Sequence, residues 1–204
     1  MELKQQYSDL RMTIRYLFIL ILGVIFLEII QQTFSLNSNP SLKLISAFEK
    51  RRFEMIIEAI LFAPLIEELI FRLPIKKTNL FLISIFLSLI LISNFNTTIG
   101  IIVCVSIGLF NLIILIYQVI SKNDKFIEYF YIISIGVFTI SHLNNYSAVE
   151  LDSKSYVELM ILFLPQLLLG IFCTIIRVKS NIWYSVLLHS LYNGILITFA
   201  IIQT

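Results

Sequence analysis

The chain has 204 residues, of which 58% are hydrophobic and only 14% are charged, and its formal net charge is +2. Water-soluble domains average about 45–50% apolar and roughly 25% charged residues. This chain therefore has too few polar side chains to cover the surface of a soluble globule. The small net charge and the lack of basic clusters interleaved with aromatic residues exclude nucleic acid as a partner.

Apolar runs follow one another along the chain at roughly 16–34, 53–75, 79–93, 99–120, 127–143, 157–176 and 181–202. Most of them have about 17 to 23 residues, the length that crosses a hydrocarbon core of about 30 Å. The alternating pattern of a membrane barrel is absent, so helices are the spanning form. The connections are short and polar, without internal repeats. The sequence therefore predicts an all-α, polytopic membrane helical bundle of about seven transmembrane helices (six to eight), with residues 1–204 as a single membrane domain.

Basic residues near the ends of the runs bear on orientation. Lys4, Arg11 and Arg15 precede the first run, and no A-x-A cleavage pattern follows it. We therefore interpret this run as a retained span with the N-terminus in the cytoplasm. The basic segment at 50–52 disagrees with this assignment, and the stretch around it could instead be an amphipathic segment lying along the membrane surface.

The stretch APLIEELIFRLPI places Glu67, Glu68 and Arg72 inside an apolar run. Ionised side chains inside a bilayer are costly, which makes them candidates for a functional site. Glu68 and Arg72 are four residues apart, so they lie on one helix face and can pair. Glu67 is rotated about 100° away from Glu68. The spacing predicts that arginine neutralises one carboxylate and that the other remains available as a general base.

Both histidines of the chain adjoin apolar runs. His142 ends the sequence FTISH, four residues after Phe138, and His189 lies four residues before Asn193 in HSLYN. The side chains of His189 and Asn193 should project from the same helix face. Each feature taken alone is more often an interhelical hydrogen bond than a catalytic site. Taken with the glutamates, they supply the groups that activate water and stabilise an oxyanion.

The sequence lacks two common catalytic patterns and leaves a third undecided. No serine or cysteine lies in a nucleophile elbow, and HExxH does not occur. A zinc site of two histidines and a glutamate from separate helices remains open on residue types alone. The prolines within or beside the runs, among them Pro64 and Pro165, predict simple kinks.

The motifs together resemble those of the CAAX protease and bacteriocin-processing (CPBP, or Abi) family of intramembrane glutamic endopeptidases. That family has EExxxR, FxxxH and HxxxN in this order. Here the motifs read EELIFR at 67–72, FTISH at 138–142 and HSLYN at 189–193. The resemblance covers about residues 53–202 as the catalytic region.

The resemblance divides the motif residues into two groups. The catalytic residues would be Glu67, His142, His189 and Asn193. The supporting residues would be Glu68, Arg72 and Phe138. In the family pattern Glu67 is the general base and acts with His142 on a water molecule, while His189 and Asn193 stabilise the oxyanion. No metal and no cofactor is implied.

The resemblance implies an intramembrane endopeptidase in the bacterial cytoplasmic membrane. Its partners would be the lipid bilayer and membrane peptides, either prenylated CAAX-like tails or bacteriocin and pheromone leader peptides. The alternative is a catalytically inactive immunity or regulatory protein on the same scaffold. A transporter is disfavoured, because the charges cluster in one place and no paired half-helix signals occur.

The depth of the histidines provides a geometric test. If every run crosses the membrane, Glu67 and His189 lie about 11–12 Å from the inner ends of their helices, and His142 lies roughly 22 Å from that side. Convergence of the three side chains therefore requires that the helix before His142 is displaced inward or that one run does not span.

Overall fold

The computed structural model describes residues 2–34, 50–73, 126–142 and 153–203, together with isolated helical positions at 105, 109, 112, 113 and 116. Within these residues the secondary structure is helical and contains no strand. The predicted run at 79–93 lies outside the described residues, and the run at 99–120 is described only at the isolated positions.

The helices of the described residues are α1 (Glu2–Thr33), α2 (Arg52–Ile57), the π-helical turn π1 (Glu58–Phe62), α3 (Ala63–Phe71), α4 (Phe126–Ser141), α5 (Tyr156–Lys179) and α6 (Ile182–Gln203). Three segments among them are long and apolar enough to cross a membrane: Lys4–Thr33, Tyr156–Lys179 and Ile182–Phe199. The all-α class is confirmed, and a membrane protein is supported. The number of about seven spans remains a prediction.

Helices α5 and α6 form an antiparallel hairpin, and a nearby side chain caps the N-terminus of each helix. Ser155 and Glu158 form a capping box at the start of α5, with the Ser155 N–H donating to Glu158 Oε2 at 2.7 Å. At the start of α6, Asn181 Oδ1 accepts hydrogen bonds from the backbone N–H groups of Trp183 (3.0 Å) and Tyr184 (3.3 Å). These caps satisfy donors that the first turn of a helix leaves without intrahelical partners.

Pro165 lies inside α5, which remains one continuous helix from Tyr156 to Lys179. A membrane helix tolerates a proline where neighbouring groups satisfy the freed backbone carbonyl.

Helix α1 packs along α5 and α6. The Tyr16 ring stacks on Phe172 with centroids 4.6 Å apart. At the cytoplasmic end predicted for α1, Asp9 is only 6% exposed. Its carboxylate accepts hydrogen bonds from Ser180 Oγ at 2.5 Å and from Gln5 Nε2 at 2.9 Å. This contact fixes the start of α1 to the turn between α5 and α6.

The segment formed by α2, π1 and α3 runs antiparallel to α6. Ser185, early in α6, bonds to Glu68 near the end of α3, and Asn193, further along α6, bonds to Ala59 in π1. Fully buried apolar side chains from five helices fill the space between them: Leu20, Ile70, Phe138, Leu169 and Leu188. The three motifs of the sequence therefore face one core.

Helix α4 packs against α3. Its described residues end at Ser141, and His142 follows directly. The end of α4 therefore lies beside the helix that carries Glu67, and the depth of His142 in a membrane remains a prediction.

We expect Asp9→Ala to lower the free energy of unfolding by about 2 kcal/mol, because it removes a buried charge-assisted hydrogen bond to Ser180. Thermal unfolding in detergent micelles measures the change. Glu28→Ala, on the exposed part of α1, is the matched control and should leave stability nearly unchanged. Equal losses in the two variants would contradict the proposed anchoring of α1.

Candidate active site

Glu68 is fully buried and is the most connected side chain of the site. Arg72 Nη1 lies 3.2 Å from its Oε1, so the ion pair predicted from the sequence is confirmed. His189 Nδ1 lies 3.1 Å from the same oxygen, and Ser185 Oγ donates to Oε2. This carboxylate thus connects α3 to α6 through Ser185 and His189, and these two partners and Arg72 together offset the cost of burying its charge.

The Arg72 guanidinium is held by several weaker contacts in addition to the ion pair. The distance between Arg72 Nη1 and Glu68 Oε1 is short, but the N–H of Nη1 is not directed at this oxygen. The contact is therefore an ion pair and not a hydrogen bond. Nη2 donates to the Gly170 carbonyl at 3.5 Å, and the guanidinium lies 4.0 Å from the centroid of the Phe138 ring. A Cβ at Gly170 would approach Phe138 to 3.1 Å and Arg72 to 3.4 Å. Gly170 therefore permits the close approach of α5 to this cation–π pair.

Both imidazoles are oriented through Nδ1. His189 Nδ1 faces the Glu68 carboxylate, and His142 Nδ1 lies 2.9 Å from the Phe138 carbonyl. These oxygens can only accept hydrogen bonds, so each Nδ1 carries a proton. Each ring therefore presents Nε2 on its other side.

Both Nε2 atoms face Glu67. His142 Nε2 and His189 Nε2 each lie 3.8 Å from the same oxygen, Glu67 Oε2. This separation exceeds the roughly 3.2 Å of a direct hydrogen bond, so neither imidazole bonds directly to this oxygen, and a water molecule could contact the three atoms from one side. Oε2 is buried and has no hydrogen-bond partner among the described residues. Three groups able to move protons therefore meet at one carboxylate oxygen.

The exposed fractions define the open side of this cluster. The side chains of Glu67 and His142 are 26% and 17% exposed, whereas His189 is 1% exposed. Within the described part of the chain, a substrate would therefore meet Glu67 and His142 before His189.

Phe138, a supporting residue in the family resemblance, packs at the centre of the candidate site. It is completely buried. Its ring makes edge contacts with His142 and His189, with centroids 4.7 and 5.7 Å away, and with Phe71 at 5.5 Å. The ring thereby keeps both imidazoles and the Arg72 guanidinium in fixed relative positions.

Asn193 makes a contact that the sequence did not predict. It lies one turn after His189 on α6, and its Nδ2 donates to the Ala59 carbonyl of π1 at 2.9 Å. The structure therefore brings Glu67, His142 and His189 together at one oxygen and attaches Asn193 to the helical turn before α3. The oxyanion role of Asn193 remains a prediction.

Ser185 was missed by the sequence analysis. Its single hydroxyl proton lies within reach of two acceptors, the Glu68 carboxylate and the Cys173 carbonyl, the latter at 3.1 Å. The signal was its position four residues before His189, because Ser185, His189 and Asn193 form one polar stripe on α6.

Two further residues missed by the sequence analysis hold the end of α3. Arg177 donates from Nε to the Arg72 carbonyl at 3.0 Å and from Nη2 to the Leu73 carbonyl at 3.2 Å. Ser134 Oγ donates to the Phe71 carbonyl at 2.7 Å. The last carbonyls of a helix lack intrahelical donors, and a cation there also interacts favourably with the helix dipole.

No group of three or more His, Cys, Asp or Glu side chains within the described ranges is arranged to hold a metal ion. The zinc alternative left open by residue types therefore gains no support from the geometry of Glu67, His142 and His189.

Comparison with protein families gives one match that covers most of the chain. A family model described as "Type II CAAX prenyl endopeptidase Rce1-like" matches residues 51–195. This range contains all three sequence motifs. Comparison with curated proteins and with solved structures gave no match.

Glu68→Ala should lower the free energy of unfolding by about 3–5 kcal/mol, because it leaves the buried Arg72 without its ion-pair partner. Unfolding in micelles and protein abundance in the membrane measure the loss. Glu58→Ala is the matched control, since Glu58 pairs with Arg51 at the exposed surface and such pairs contribute about 0–1 kcal/mol. Equal abundance of the two variants would contradict the structural role of Glu68.

Arg177→Met should destabilise the end of α3 by about 2 kcal/mol, since it removes a charged donor from two buried carbonyls. Hydrogen–deuterium exchange should rise in peptides that contain residues 68–73. Lys179→Met removes an exposed charge from the same helix end and should leave exchange unchanged. Wild-type exchange in Arg177→Met would show that these hydrogen bonds do not hold α3.

Proposed function

Because the chain belongs to the Rce1-like family of type II CAAX prenyl endopeptidases, we propose that it is an intramembrane endopeptidase whose nucleophile is a water molecule activated by Glu67 and His142. One observation carries the proposal: two imidazole Nε2 atoms lie 3.8 Å from the same Glu67 oxygen. A water between them could give a proton to the carboxylate and keep a lone pair directed at the substrate.

Glu67 acts as the general base in the first step. It accepts one proton from the water, whose oxygen attacks the carbonyl carbon of the scissile peptide bond. His142 Nε2 accepts a hydrogen bond from the second proton of that water and so orients it. Glu67 suits this role because its nearest polar neighbours are two imidazoles, whereas Glu68 is committed to Arg72 and Ser185.

The attack places negative charge on the former carbonyl oxygen, and hydrogen-bond donors are needed to stabilise this charge. His189 already donates through Nδ1 to Glu68, so a second proton at Nε2 lets the ring donate to the oxyanion. Asn193 has two amide hydrogens, one of which is used by the Ala59 carbonyl, and the other can serve the oxyanion.

Collapse of the intermediate completes the reaction. The C–N bond breaks, and the leaving nitrogen takes the proton that Glu67 removed from the water. The products are a carboxylic acid, which then loses its remaining proton to the amine or to water, and an amine, and Glu67 is again ionised. No covalent enzyme intermediate, metal or cofactor takes part in this proposal.

The position of the site favours a membrane-bound substrate. His189 lies seven residues after the first residue of α6, so the site is about 10 Å below that end of the helix. A peptide bond must therefore enter the apolar region to reach Glu67. A lipid anchor or an apolar flanking segment would offset this cost, as in prenylated CAAX-like tails or hydrophobic leader peptides.

Glu67→Gln and His142→Ala should reduce peptide cleavage by about 10²–10⁴-fold and leave membrane insertion intact. Peptide termini in membranes from cells that produce each variant at equal levels are compared by mass spectrometry. Glu58→Gln, an exposed glutamate on the same helical segment, is the control and should match wild type.

Equal cut profiles for wild type and Glu67→Gln would refute the proposed mechanism. A wild-type protein that changes no peptide termini would instead favour the inactive immunity or regulatory scaffold.

A further inference from the structure

The helical segment that carries Glu67 contains a π turn immediately before α3. The turn spans Glu58–Phe62, and the N–H of Ala63 donates to the Glu58 carbonyl, five residues back. The next residue is Pro64, within the first turn of α3. Single π turns are rare and occur frequently at functional sites. The sequence analysis predicted a simple kink at Pro64 and did not foresee the π turn before it.

The π turn and the proline together leave one carbonyl without a donor from its own helix. In an α-helix the Ala59 carbonyl would accept from Ala63, but that N–H is committed to Glu58. In a continued π pattern it would accept from residue 64, but proline has no N–H. The Ala59 carbonyl therefore has neither partner within its own segment.

Asn193 supplies the missing donor from α6. Its Nδ2 lies 2.9 Å from the Ala59 carbonyl. A carbonyl accepts only, so the chemistry fixes which end of the amide faces Ala59. The next residue, Gly194, lies against Ile60, because a Cβ at Gly194 would come within 3.7 Å of Ile60 Cδ1. The side chain of Asn193 and the backbone of Gly194 thus both pack against the π turn.

We infer that Pro64 is a positioning residue for the Asn193 amide. By withholding a backbone N–H, Pro64 keeps the Ala59 carbonyl free, and that carbonyl fixes the orientation of the amide beside His189. The catalytic consequence rests on the proposed function, whereas the hydrogen bond does not.

The structural part of the inference is tested by a double-mutant cycle. Pro64→Ala adds an N–H that reaches the Ala59 carbonyl when the π pattern continues by one residue, so the Asn193 amide then competes with a backbone donor for its partner. Asn193→Ala should therefore lower the midpoint of thermal unfolding in the wild-type background and lower it by less than half as much in the Pro64→Ala background. Equal losses in both backgrounds would overturn the inference, whether or not the protein cleaves any peptide.

The catalytic part is tested with proteoliposomes and a fluorogenic farnesylated tail peptide. Pro64→Ala should lower kcat by about 10- to 100-fold, because the donor is misplaced, with KM nearly unchanged. Pro165→Ala, which also removes a proline from inside a helix, is the matched control and should retain wild-type kcat.

Each outcome has a separate meaning. An unchanged kcat in Pro64→Ala, or a loss that Pro165→Ala shares, would overturn the positioning role. Absence of cleavage by wild type would refute the proposed function for prenylated tails, while the unfolding cycle would still decide the hydrogen bond.

Discussion

The ionised pair of Glu68 and Arg72 is the constraint on which the rest of the site depends. Both side chains are fully buried in a segment that is otherwise apolar, and a charge buried there without partners costs several kcal/mol. The surrounding helices are therefore arranged to satisfy it. Ser185 and His189 of α6 bond to the carboxylate, and Phe138 of α4 and Gly170 of α5 contact the guanidinium. The same contacts bring His189 and the end of α4 beside Glu67, so satisfying one carboxylate places the residues around the other.

The two adjacent glutamates thus differ because of their positions on the helix. Glu68 points into the core, where its oxygens are occupied by donors, and it orients His189 through Nδ1. Glu67 is rotated about 100° from it and is partly exposed, with imidazole nitrogens as its neighbours. A carboxylate with saturated hydrogen bonding holds structure, and one with an oxygen that lacks a hydrogen-bond partner, as Glu67 Oε2 does among the described residues, can accept a proton. The difference between the two roles follows from a single step along the helix.

Local spacing predicted much of this arrangement. The all-α class and the ion pair at four-residue spacing could be predicted because they depend on helix geometry and on the cost of charge in lipid, whereas a supporting role for Phe138 came only from the family resemblance. The side chains that bond to backbone carbonyls could not be predicted from the sequence. Arg177, Ser134 and Asn193 reach carbonyls in distant parts of the chain, and a backbone acceptor leaves no residue pattern. The π turn was missed for a related reason, since Pro64 alone does not reveal whether a helix kinks or adds a residue to one turn. The position of His142 depended on where α4 ends, which apolar run length does not determine.

The central claim is that water attacks the peptide bond directly. Proteoliposomes containing the wild-type protein would be given a farnesylated tail peptide in ¹⁸O-labelled water with hydroxylamine present, and the products would be analysed by mass spectrometry. The account predicts one ¹⁸O atom in the new C-terminal carboxylate and no hydroxamate, because no acyl-enzyme forms for hydroxylamine to intercept. A hydroxamate product would reveal a covalent intermediate and contradict the role assigned to Glu67.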